Sequence, residues 1–80
     1  MKVYIPVITA DGQYGYAKVF APCSTRELAR ARIDKELVEH GLTTRFIRGF
    51  ERIVDNGKPL TSYVMIVETE MNNMEQTLYL

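Results

Sequence analysis

The sequence predicts an α+β domain of order ββαββ, a mostly antiparallel four-stranded sheet with one helix packed on one face. A short fifth C-terminal strand over Thr77–Leu80 is the optional addition. Two observations carry this. Runs rich in Val, Ile, Tyr and Phe flank the dipeptides Asp11-Gly12 and Asn56-Gly57, which suit the two-residue loops of β-hairpins. Between the hairpins, a Ser-x-x-Glu start and a terminal glycine enclose apolar residues spaced by four, which is the pattern of a one-sided helix. Eighty residues form one small domain over 1–80, which buries only about 60% of its unfolded surface.

Lys2–Ala10 and Gln13–Ala21 read as the first hairpin. With Asp11 and Gly12 as the loop, Val3 faces Phe20, Ile5 faces Lys18, Val7 faces Tyr16 and Thr9 faces Tyr14. Pro6 lacks a ladder donor and places the first strand at an edge or beside a bulge. The helix is expected over Thr25–His40, capped by Ser24 with Glu27 in a capping box, with Cys23 and Leu28 at the staple positions and Gly41 ending it. Ala29, Ile33 and Leu37 form its buried stripe, widened by Leu28, Ala31 and Val38. A helix of about 16 residues is about 24 Å long and covers one face of a four-stranded sheet. The main alternative is a β-grasp topology with a central first strand parallel to the last, against which Pro6 counts.

Residues 43–55 and 59–70 form the second hairpin around Asn56-Gly57. Counting outward from Asp55 opposite Lys58 puts Phe50 opposite Tyr63, Arg48 opposite Met65 and Phe46 opposite Val67. The other face then carries Ile47, Gly49, Ile53, Leu60, Val64 and Ile66, closed by an Arg45–Glu68 pair. One face therefore reads as core. The second is aromatic and basic: Tyr14, Tyr16, Lys18 and Phe20 from one hairpin, Phe46, Arg48, Phe50, Arg52, Tyr63 and Met65 from the other. These residue types are enriched in protein interfaces. The competing expectation is a bulge at Gly49 that turns Phe46 and Phe50 toward the helix.

Ten Lys and Arg balance ten Asp and Glu, which removes the broad attraction for nucleic acid that a basic domain has. All six arginines lie between Arg26 and Arg52, and residues 53–80 are acidic. On the helix, Arg30 with Asp34 and Arg32 with Glu36 read as weak solvated ion pairs. Cys23 is the single cysteine, so no internal disulfide can form, and a reducing cytoplasm is the expected compartment. No apolar run approaches the roughly 20 residues that span a bilayer, so no membrane is expected. His40 lies at the opposite helix end from Cys23, roughly 25 Å away, which excludes a Cys-His pair or shared metal. No phosphate-cradling loop, cofactor motif or carboxylate pair in a cleft appears, so neither an enzyme nor a cofactor is expected.

The expectation is a small protein-binding module acting by stoichiometric occupation of a partner, as accessory proteins and phage-encoded inhibitors do, with homodimerisation through the same face. The alternative is single-stranded nucleic-acid binding on the aromatic platform. Arg48-Gly49-Phe50 resembles the opening of the longer strand signature of RNA-recognition domains, from which Glu51 and Arg52 then depart.

Overall fold

The computed structural model describes residues 1–10 and 17–71. Among them are five strands and one helix: β1 (Lys2–Ala10), β2 (Lys18–Val19), α1 (Arg26–Glu39), β3 (Thr43–Ile47), β4 (Phe50–Asp55) and β5 (Lys58–Glu70). Every strand pair is antiparallel, in the spatial order β2-β1-β5-β4-β3. The α+β class is as the sequence predicts. The strand count is not, because residues 43–55 fold as two strands rather than one. The long β5 is central and antiparallel to β1, which excludes the β-grasp arrangement for the described residues. Tyr14, Tyr16, the Asp11-Gly12 loop and Thr77–Leu80 lie outside the described residues.

The first hairpin pairs in a different register from the one predicted. Val7 lies opposite Val19 and Ile8 opposite Lys18, a shift of three residues. An odd shift exchanges faces. Lys18 and Phe20 therefore lie on the helix side, where Phe20 is buried, and Val19 points to the other side. Pro6 sits within the second strand of the sheet rather than at its edge, and its missing donor leaves one bond instead of two with Phe20. The amides and carbonyls of even residues in β1 point outward, where Tyr4 exchanges both bonds with Cys23 and the Pro6 carbonyl accepts from Phe20.

The helix begins one residue later than the capping box implies. Thr25, not Ser24, is the N-cap: its φ and ψ are −136° and 158°, and its Oγ1 accepts from the Leu28 amide at 3.1 Å. Cys23 thus falls outside the staple position and instead bridges Tyr4. At the other end, the Leu42 amide donates to the Leu37 carbonyl and the Gly41 amide to that of Val38, the two bonds of a Schellman motif. Ala29, Ile33 and Leu37 are buried as the stripe predicts. Leu28 and Val38 are exposed, and Glu36 takes the buried place beside the stripe.

A hairpin turn at Arg48-Gly49 splits the segment predicted as one strand. Both residues have positive φ, 53° and 84°, close to the 55° and 81° of Asn56-Gly57. Two consecutive positive φ values give the type I′ geometry that matches strand twist. The Asn56-Gly57 loop is as predicted, with Asp55 opposite Lys58. Beyond Ile53 the pairing slips: Leu60, Thr61 and Ser62 stand against one residue of β4, so Arg52, not Phe50, lies opposite Tyr63. A slip of two residues preserves the faces. Ile47 pairs with Phe50 rather than Ile66, and Arg45 with Arg52 rather than Glu68. Under the helix, Ile8, Phe20, Ile33, Leu37, Ile53 and Val64 form the core, flanked by Leu42, Leu60 and Ile66. Each such aliphatic side chain contributes about 1.5–3 kcal/mol on burial.

Candidate functional site

The pleat assigns each strand residue to a side. Tyr4, Pro6 and Ile8 of β1, Glu51 and Ile53 of β4, and Val64 and Ile66 of β5 face the helix. The opposite side carries Ile5, Val7, Val19, Arg45, Ile47, Phe50, Arg52, Tyr63, Met65 and Val67. Register puts Val19, Val7 and Met65 in one transverse row, and one residue beyond the last β4–β5 pair this row continues through Phe50 to Ile47. An apolar line thus crosses all five strands. Its exposed members are large: Val19 is 71% exposed, Phe50 53% and Met65 42%. At the margins of this side Val3 and Val54 are buried.

Beside this row lies a second one, Thr9, Tyr63, Arg52 and Arg45. The Phe50 and Tyr63 rings, diagonal neighbours across the bulged pair, meet with centroids 5.1 Å apart at 58°. This tilted contact suits the ring quadrupoles and holds Phe50 upright. Ile47, Arg48, Phe50, Arg52 and Pro59 line a shallow groove of about 440 Å³ at this end. Arg45 stands directly opposite Arg52, a like-charge cross-strand arrangement that destabilises a ladder.

Of the residues expected to form the aromatic and basic face, the structure brings Phe50, Arg52, Tyr63 and Met65 together there and sets Arg48 at the groove in the turn. Phe46 is placed elsewhere. It pairs with Glu51 and so lies on the helix side of the edge strand, 75% exposed, because the turn at Arg48-Gly49 inverts the count from Phe50. Lys18 is also on the helix side, where its Nζ meets Glu36 at 2.8 Å. Tyr14 and Tyr16 fall outside the described residues. Ile47, Arg45 and Val19 join this face against the predicted register, whereas Val7 keeps the side on which its expected pairing with Tyr16 placed it. Only the Gly49 in a strand-like run hints at the turn that puts Ile47 and Arg45 there.

On the helix side Arg30, Glu51, Lys18, Glu36 and Arg32 form ion pairs within the fold, the buried Arg32 Nη1 without a hydrogen bond. Arg30 makes a bidentate pair with Glu51, also contacts Asp34 at 3.1 Å, and Thr44 Oγ1 donates to Glu51 at 2.7 Å. The Arg30 hydrogen bonds hold the Glu51 carboxyl below its ordinary value, against the opposing effect of burial and with help from Thr44. Arg30 is correspondingly held more firmly protonated. Buried Glu36 receives Lys18, approaches Arg32 at 3.5 Å and lies 3.9 Å from His40. The Arg32 and Lys18 cations sit 4.6 and 5.1 Å from the Phe20 ring centroid, stacked on an otherwise apolar side chain. The two helix pairs expected to be weak and solvated are thus parts of larger networks that tie the helix to β2 and β4.

Among the described residues, no group of three or more His, Cys, Asp or Glu converges to hold a metal ion. No helix among them is long and apolar enough to cross a membrane. The face opposite the helix presents an apolar row with arginines at one end. No protein-family model, curated protein or solved structure matches this chain.

Proposed function

We propose that this protein is a stoichiometric protein-binding module, of the accessory or phage-inhibitor kind, that acts by occupying a partner's surface through the sheet face opposite the helix. The carrying observation is the exposed apolar row from Val19 to Ile47 with the Phe50–Tyr63 pair at its aromatic end. Exposed contiguous apolar surface on a small domain marks an interaction site, and Phe, Tyr, Met and Arg are the residues that anchor interfaces. Tyr63 already braces Phe50, which limits the side-chain ordering that binding there would cost. The single cysteine suits action in a reducing cytoplasm.

Phe50→Ala tests this reading. The variant keeps its fold, because Phe50 is half exposed, and loses partner binding and any self-association in sedimentation. Unchanged binding and association would remove the face from consideration. Single-stranded nucleic acid is the second reading, favoured by Arg45, Arg48 and Arg52 around two aromatic rings. Salt separates the two: nucleic-acid affinity falls steeply as salt rises through counterion release, whereas a protein contact built on the apolar row weakens little.

A further inference from the structure

We infer that the arginine-bearing end of the open face receives an acidic protein segment, whose carboxylates meet Arg45, Arg48 and Arg52 and whose apolar side chain enters the groove between Ile47, Phe50 and Pro59. This rests on the reading of that face as a docking surface and names the chemistry of its occupant.

The inference begins with charge segregation. The chain is neutral overall, yet among the described residues the open face carries arginines and no carboxylate. Glu51, the nearest acid in sequence, points to the other side, where Arg30 and Thr44 hold it. Asp55 belongs to the Asn56-Gly57 turn, in register with Lys58, and Glu68 and Glu70 reach Lys2 and the N-terminal ammonium. No ion pair among the described residues engages Arg45, Arg48 or Arg52. A fold that neutralises Arg30 bidentately but stands Arg45 against Arg52 leaves an electrostatic deficit at one spot. An incoming carboxylate fills it, with the bidentate geometry that guanidinium favours. Arg48 adds to the argument, since an arginine occupies a left-handed position, φ 53°, that asparagine fills in the other turn.

Charge and layout select the occupant. A second copy docking by the same face would bring a surface whose described residues hold arginines and no carboxylate against itself, so a two-fold contact among them gains no ion pair and opposes like charges. A single strand of nucleic acid needs a basic track along its whole path, but here the arginines end at Phe50 and the row continues as Met65, Val7 and Val19. An acidic segment with apolar residues matches both parts.

The test uses a glutamate–tyrosine copolymer, polyglutamate and a thymidine oligonucleotide as fluorescent probes at about 150 mM salt, with wild type, Phe50→Ala and the double variant Arg45→Gln/Arg52→Gln. The copolymer is expected to bind more tightly than polyglutamate or the oligonucleotide. The double variant should weaken it about tenfold or more, the loss of at least one charge-assisted contact. The double variant should melt no lower than wild type, because it relieves a like-charge pair. Equal copolymer binding by the double variant, or no binding of the copolymer at all, overturns the inference, as does tighter binding of the oligonucleotide lost in that variant. Self-association that strengthens on Arg→Gln exchange would assign the face to a second copy. If Phe50→Ala abolishes partner capture while the double variant retains it, the face reading stands and only the acidic occupant falls. Copolymer binding that needs the arginines but ignores Phe50 would instead remove the face reading.

Discussion

One sheet presents two faces built on opposite terms. Under the helix, Ile8, Ile33 and Ile53 are essentially inaccessible, and the carboxylates of Glu36 and Glu51 are each met by cations. On the other side, Phe50, Met65 and Val67 are exposed and two arginines oppose each other. The same strands supply both, so the contrast comes from what covers each side. It teaches that most of the buried apolar surface lies under the helix, with Val3 and Val54 buried at the margins of the other side, and that the features of that other face which lower stability call for a different explanation.

Substituting equivalent strand positions on the two faces gives the largest effect. Ile53→Ala removes a fully buried side chain and should cost about 2–5 kcal/mol in denaturant unfolding. Phe50→Ala, although it deletes more atoms, should cost under about 1 kcal/mol. Comparable losses would erase the distinction and place Phe50 in the core.

The charge contrast gives the next effect. Glu51→Gln breaks the bidentate pair with Arg30 and should cost about 1 kcal/mol, less than a fully buried pair because the Arg30 side chain is still 38% accessible. Acid provides a second readout. The folded-state pKa of Glu51 lies below its unfolded value, so its contribution is complete above about pH 4.3 and is lost as pH falls through the folded pKa. Stability against pH, followed by chemical denaturation, should show this acid limb in wild type and a shallower one in Glu51→Gln. Coincident curves would mean that the pair contributes nothing.

The helix that makes one face a core is anchored by Thr25. Thr25→Ala should destabilise by about 1 kcal/mol, lowering the melting temperature by roughly 4–8 °C, whereas Ser24→Ala should stay within about 0.5 kcal/mol. The reverse order would restore Ser24 as the cap.

The smallest effect sharpens the comparison at its edge. Arg48→Asn should stabilise by about 0.5–1 kcal/mol, since asparagine tolerates the left-handed conformation that arginine adopts there at a cost. In the acidic-copolymer assay the same exchange should weaken binding. A more stable variant with undiminished binding would make Arg48 a turn residue and nothing more.

Local chemistry was legible wherever a short run of residues decides the outcome. Ala29, Ile33 and Leu37 show their stripe through spacing alone, Gly41 marks the helix end, and Asn56-Gly57 marks a turn whose first pair is Asp55 with Lys58. Arg48-Gly49 adopts nearly the same backbone but was hidden, because arginine is not a residue that announces positive φ. From that hidden turn follow the misplaced Phe46, the Ile47 and Arg45 gained by the open face, and the extra strand.

By itself, then, the sequence determined the α+β class, the helix and its buried stripe, and a grouping of Phe50, Arg52, Tyr63 and Met65 on one face. That grouping survived because the bulge in β5 shifts the register by two residues, and the pleat repeats every two. Tertiary structure decided the rest. The three-residue shift between β1 and β2, the burial of Glu36 under Lys18, and the capture of Glu51 by Arg30 all depend on partners distant in sequence. Only the packed helix brings those partners within reach. On the open face the turn at Arg48-Gly49 set Arg45 against Arg52, whereas the pleat alone had already placed Glu51 on the helix side, where Arg30 then met it.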